Sequence, residues 1–151
     1  MKRGDLIFFY PRKFNLTDKL ISIYGGKYVH TGILLSSDLV LSMGFSGVSI
    51  REVASYKRKY DIYKIDTDAF RREQLIKFLL SKMDTSRYDF LGLLNFIFYF
   101  IPNVSRRFFC SEFISWGLYY IGLLPERLNL SPVELSNQEF LRFNGDYDGE
   151  N

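Results

Sequence analysis

The sequence predicts an α+β fold. Between residues 6 and 65, short β-branched and apolar runs alternate with turn residues, the pattern of paired strands. Beyond residue 68, apolar residues recur at helical spacing. A length of 151 residues with 47% apolar content suits one domain with a sizeable core.

Leu6 to Tyr10 reads as a buried strand closed by Pro11, and Leu16 to Tyr24 fits a short helix ended by Gly25-Gly26. Four strand-like runs follow: Tyr28 to Leu35, Leu39 to Met43, Val48 to Arg51 and Tyr60 to Ile65. Ser36-Ser37-Asp38 and Gly44 to Gly47 supply turns, so an antiparallel meander is expected. Ala69 to Met83 carries Leu75, Phe78, Leu79 and Met83 at helical spacing, behind the caps Asp66, Thr67 and Asp68. Tyr88 to Phe100 is a second helical candidate, stopped by Pro102. Ser111 to Ile121 is apolar nearly all round, which calls for a buried central helix. Ser131-Pro132-Val133-Glu134 has the Ser N-cap, first-position Pro and third-position Glu of a helix start, with Leu130 and Leu135 spaced for a hydrophobic staple. Residues 1–143 are expected to form the single domain and 144–151 a polar, frayed tail.

Composition narrows the chemistry. A net charge of +3, with basic clusters scattered at Lys57-Arg58-Lys59, Arg71-Arg72 and Arg106-Arg107, gives no footprint for nucleic acid. One cysteine rules out an internal disulfide and every multi-cysteine metal motif. One histidine leaves a zinc site to be built almost wholly from carboxylates, so neither metal nor other cofactor is expected. Leu6 to Tyr10 is too short for a signal-peptide core, and Phe90 to Ile101 falls short of the roughly 20 residues of a membrane span. The expectation is a cytoplasmic chain, with Phe90 to Ile101 as a buried helix or a peripheral membrane contact.

The single histidine and cysteine carry the rest. His30 lies in the strand-like Tyr28-Val29-His30-Thr31-Gly32-Ile33-Leu34-Leu35, and Cys110 opens the helix that follows Phe108-Phe109. A helix N-terminus favours a thiolate through its dipole and free N–H groups. An imidazole on a neighbouring strand can take the thiol's proton, which is the minimum for cysteine nucleophilic catalysis. The default reading of either residue alone is a core cysteine and a structural histidine.

Gly4-Asp5-Leu6-Ile7-Phe8-Phe9, then His30-Thr31-Gly32-Ile33-Leu34-Leu35, then Phe109-Cys110-Ser111-Glu112-Phe113 together resemble the permuted papain-like cysteine hydrolases. These include the lecithin:retinol acyltransferase-like and YiiX-like branches of the NlpC-type superfamily. In ordinary NlpC-type peptidases the cysteine helix precedes the Gly-Asp-Leu and His-x-Gly-Ile strands; here it follows them, as in the permuted branch. Tyr88-Asp89-Phe90-Leu91-Gly92 and Leu130-Ser131-Pro132-x-Glu134-Leu135 look most like YiiX-like members. The likeness spans about residues 4 to 141.

The resemblance implies a circularly permuted papain-like fold, a small antiparallel sheet against a helical part carrying Cys110. It implies a Cys110–His30 pair that attacks an amide or ester carbonyl to form an acyl-enzyme, with backbone N–H groups of Cys110 and Ser111 facing the oxyanion. The family's third polar residue orients the histidine, and YiiX-like members tend to carry Glu there; in this chain the slot falls at Ser42. If Leu35 pairs with Leu39, then Gly32 faces Ser42, and Ser42 shares a sheet face with His30 as its diagonal neighbour. Asp5, Ser46 and Glu112 are the next candidates for that role. Glu112, in the first helical turn, and Tyr88 are the secondary site candidates beside Ser111. The implied substrates are peptides, other amides or acyl lipids, with amidase or peptidase as the first reading. A lipid acyltransferase or thiol acylhydrolase, and a binding module that has lost activity, are the alternatives. Small size permits a viral or phage origin, and the oligomeric state is open.

Overall fold

The computed structural model describes residues 1–12, 18, 22, 26–44, 47–85 and 109–148. Six strands are found there: β1 Leu6–Phe9, β2 His30–Leu34, β3 Leu39–Gly44, β4 Gly47–Glu52, β5 Tyr60–Ile65 and β6 Leu141–Tyr147. Four helices are described: α1 Ala69–Leu80, α2 Lys82–Thr85, α3 Phe109–Tyr120 and α4 Pro132–Ser136, with a 3-10 turn at Val53–Tyr56. All strands pair antiparallel in one sheet, ordered β4-β3-β2-β1-β5-β6.

β1 explains that order. Its four residues, Leu-Ile-Phe-Phe, are all fully buried, so it needs a neighbour on each edge and apolar cover on each face. Only β2, β3 and β4 form the expected meander; β5 crosses back to pair with the free edge of β1. One face, with Leu6, Phe8, Ile33, Leu41 and Met43, packs on α1 and α3 through Leu75, Leu79, Phe113, Ile114 and Leu118. The other face, with Ile7, Phe9, Leu34, Val40 and Ile62, packs on Val53 and Tyr56 of the 3-10 turn.

Two glycines set close approaches. A Cβ at Gly117 would come 2.5 Å from Leu75 Cδ1, so α3 lies against α1 at a distance only glycine allows. A Cβ at Gly32 would come 2.5 Å from Val40 Cγ2 and 2.8 Å from the Leu41 carbonyl oxygen, which ties the glycine of the His-Thr-Gly segment to the β2–β3 contact.

Both described caps form where the sequence places them. Asp68 accepts from the Arg71 amide at 2.8 Å, and Ser131 and Glu134 form a reciprocal capping box. Three expectations need correction. The helix expected over Ala69 to Met83 is divided at Ser81, whose hydroxyl donates to the Phe78 carbonyl at 2.7 Å and competes with the helical ladder. The cysteine helix starts at Phe109, not Ser111. The polar tail expected from Asn144 onward is strand as far as Tyr147, because Phe143 packs edge-on to Tyr63 at 5.6 Å and Tyr147 stacks on Tyr60 at 5.4 Å. The helical candidate Tyr88 to Phe100 and most of Leu16 to Tyr24 lie outside the described residues; within the latter, Asp18 and Ser22 are helical. No described helix is long and apolar enough to cross a membrane.

Candidate functional site

Cys110 is the second residue of α3 and 5% exposed. Three backbone amides favour its thiolate: its own, that of Ser111, and that of Thr31 on β2. The third contact joins helix to sheet, and the strand register explains it. Leu34 donates to the Asp5 carbonyl on the β1 side, and Leu35 donates to Leu39 on the β3 side. By alternation the Thr31 amide faces β3. The β2–β3 ladder runs through Leu34↔Val40 and Ile33↔Leu41 and goes no further, whereas β1–β2 continues to Phe9↔His30. The Thr31 N–H is thus turned to the open end of that ladder, where the sulfur meets it. Thr31 follows His30 directly, so the thiol lies beside the histidine's own backbone.

His30 starts β2 and projects to the opposite sheet face from Thr31. Its imidazole lies nearly parallel to Phe9, at 5.8 Å and 29°, and to Tyr56, at 5.5 Å and 26°. Phe9 and Tyr56 stack on each other at 4.3 Å. The Tyr56 hydroxyl shares a 2.8 Å hydrogen bond with Ser42 Oγ. Among the described residues, no carboxylate hydrogen-bonds His30.

The β2–β3 register is the one that places Ser42 opposite Gly32, and Ser42 is buried on the His30 face. Its hydroxyl, however, binds Tyr56 rather than the imidazole. Ser111 is buried and its hydroxyl donates to the Leu130 carbonyl at 2.6 Å, anchoring the α3 N-terminus to the segment before α4. Glu112 is partly buried, and burial raises its pKa while Arg127 opposes the rise; its charge acts against a Cys110 thiolate. Asp5 accepts from the Lys2 amide at 2.8 Å and serves the turn before β1. Tyr88 and Ser46 lie outside the described residues. Tyr56 and the Thr31 amide are the site features that sequence reading missed. One aromatic among many carries no signal, and a free backbone amide leaves none in the sequence.

Electrostatics alter the expected thiolate. Burial pushes the Cys110 thiol up to about 11 against the opposition of the three amides, and the Glu112 charge adds to the rise. A rise of this size is worth about 3 kcal/mol, more than the roughly 0.3–1 kcal/mol of a helix dipole. Burial, then Arg58 and Arg51, push His30 down to about 4, with Asp18 pulling the other way. At neutral pH both groups are uncharged, Cys110 as the thiol and His30 as the free-base imidazole.

No family model and no curated protein matches the chain. Among solved structures, it resembles the metalloprotein yiiX from Escherichia coli O157:H7, DUF1105, with a TM-score of 0.66, 14% identity and 97% of each chain covered. The protein therefore has an α+β fold of the YiiX type, with, among the described residues, a six-stranded antiparallel sheet and α1 and α3 packed on one of its faces. The neighbour is described as a metalloprotein; here, no group of three or more His, Cys, Asp or Glu side chains is gathered to hold a metal among the described residues. The lone His30 and Cys110 do not supply such a donor set.

Proposed function

We propose that this protein is a cysteine-nucleophile hydrolase of the permuted papain-like, NlpC-type group, acting on amide or ester bonds. The observation that carries the reading is the meeting of the Cys110 sulfur with the amide of Thr31, the residue after His30. It brings a thiol at a helix N-terminus to the backbone of the strand that carries His30, which supports a nucleophile and base drawn from these two elements.

The chemistry follows from the neutral pair. Cys110 Sγ attacks the substrate carbonyl carbon while its proton passes to His30, so the charge separates only as the bond forms. The carbonyl electron pair moves onto oxygen, and amides at the start of α3 supply the donors an oxyanion needs. Collapse breaks the bond to the amine or alcohol, which leaves with the proton held by His30. Water then attacks the thioester with His30 as base, releasing the acid and the free thiol. A substrate alcohol or amine in place of that water makes the same site an acyltransferase.

Incubation with a mixed library of peptide amides and acyl lipids, followed by intact mass spectrometry, tests the proposal. The expected result is an acyl adduct on Cys110 that is absent from Cys110→Ala, and the acyl group retained identifies peptide or lipid. No adduct from any class, with the protein folded, overturns it. The lack of a carboxylate on His30 among the described residues favours one second reading, a binding module that retains the fold without turnover. That reading expects saturable ligand binding with no adduct.

A further inference from the structure

We propose that Tyr56 is the positioning residue for His30, taking the part that a carboxylate plays when it orients a catalytic imidazole. The inference rests on the cysteine-hydrolase reading and concerns the same site. Tyr56 closes the 3-10 turn Val53–Tyr56, and Val53, buried against Val40 and Leu34, fixes that turn on the sheet. The Tyr56 ring lies nearly parallel to both Phe9 and His30. A carboxylate orients imidazole through one ring nitrogen; a stacked ring holds its plane and leaves both nitrogens free. The tyrosine is itself held from the far side, its hydroxyl bonded to Ser42 at 2.8 Å. Ser42 thus acts on the histidine through Tyr56, which accounts for a serine at the orienting slot that never touches the imidazole.

The charged groups that act on His30 come from three places: Arg51 on β4, Arg58 after the 3-10 turn, and Asp18, which pairs with Arg58 and Arg12. None of them is altered by changing Tyr56 to Phe or Leu, so these variants isolate the stack.

His30 is the only histidine, so its ring protons can be followed by NMR without assignment ambiguity. In the wild type they should show upfield ring-current shifts and a low titration midpoint. Tyr56→Leu should move them downfield, raise the midpoint toward 6.5 and lower kcat for acyl transfer about tenfold with KM little changed. Tyr56→Phe, which retains the ring and loses only the anchor, should give a smaller change of the same sign. Ser42→Ala should match Tyr56→Phe, and the double variant should equal either single one. The proposal is overturned if folded Tyr56→Leu keeps the wild-type shifts and midpoint. It is also overturned if Ser42→Ala and Tyr56→Phe act additively. If Tyr56→Leu does not fold, Tyr56→Phe and Ser42→Ala decide by the same readouts. A wild type with ring-current shifts but no acyl adduct overturns the hydrolase reading instead, and with it the catalytic part of this one.

Discussion

Two buried polar clusters lie at the same end of the central strand, on opposite faces of the sheet. Phe8 pairs with Thr31 and Asp61, and Phe9 pairs with His30 and Tyr60. On the helix-covered face, Asp61 accepts from the hydroxyls of Tyr10 and Tyr28, with the Lys27 ammonium 3.7 Å away. Burial and the Asp61 charge push Tyr10 up to about 12 and Tyr28 further still. That cluster is a carboxylate held by donors and tied to three strand segments, the arrangement of a structural brace. On the other face, His30 has rings and a serine-anchored tyrosine but, among the described residues, no hydrogen-bonded carboxylate. The difference teaches that a buried titratable group can be held by charge or by shape. Charge gives rigidity. Shape leaves the imidazole neutral, with one ring nitrogen able to take a proton.

Removing the reacting groups should break the comparison most sharply. Cys110→Ala and His30→Ala are each expected to reduce acyl-enzyme formation by on the order of a thousandfold or more, and the double variant by no more than either. Losses that multiply would show that the two do not act as one unit. The brace should respond in stability instead. Asp61→Leu leaves two tyrosine hydroxyls without their acceptor and should cost about 3 kcal/mol in urea unfolding. Asp61→Asn should cost less, and neither should change the pH dependence of Cys110 alkylation.

The next effect is a pH dependence. His30 titrates at 6.5 when unfolded and at about 4 in the fold. The unfolded chain therefore takes up the proton first. Stability from the neutral imidazole is complete above pH 6.5, declines as pH falls and is gone below about 4, a loss of up to about 3 kcal/mol. Urea midpoints at stepped pH should show this slope in the wild type and lack it in His30→Ala. For the thiol, the folded pKa is raised to about 11. Iodoacetamide should thus modify Cys110 slowly at pH 7 and faster toward pH 11; rapid alkylation at pH 7 would mean an ion pair already exists. The smallest effect expected is that of Ser42→Ala on stability, about 1 kcal/mol for one lost hydrogen bond.

Much was legible in the chain before any coordinates. Asp68 and the Ser131–Glu134 box announce helix starts because a cap needs only residues three apart. The β2–β3 register follows from the turn Ser36-Ser37-Asp38, since a short turn determines which residues face each other. Cys110 and His30 stood out because each is the only residue of its kind. Such features are local, or are matters of composition, and need no distant partner.

What tertiary structure decided depends on contacts between distant segments. Val48–Arg51 is followed in sequence by Tyr60–Ile65, yet β5 bypasses β4 because the buried edge of β1 was open. Asn144 to Tyr147 is strand despite its polarity because Tyr60 and Tyr63 were there to receive Phe143 and Tyr147. Tyr56 meets His30 only after the 3-10 turn folds onto the second sheet face. The thiol's protonation state follows the same rule. A helix N-terminus seen in sequence argues for a thiolate, but burial is a property of the assembled core, and desolvation there outweighs the dipole. The sequence by itself determined which residues could react and which short segments would be helix or strand. Only the folded chain determined their neighbours and their charge, because packing and desolvation act across the whole structure rather than along the chain.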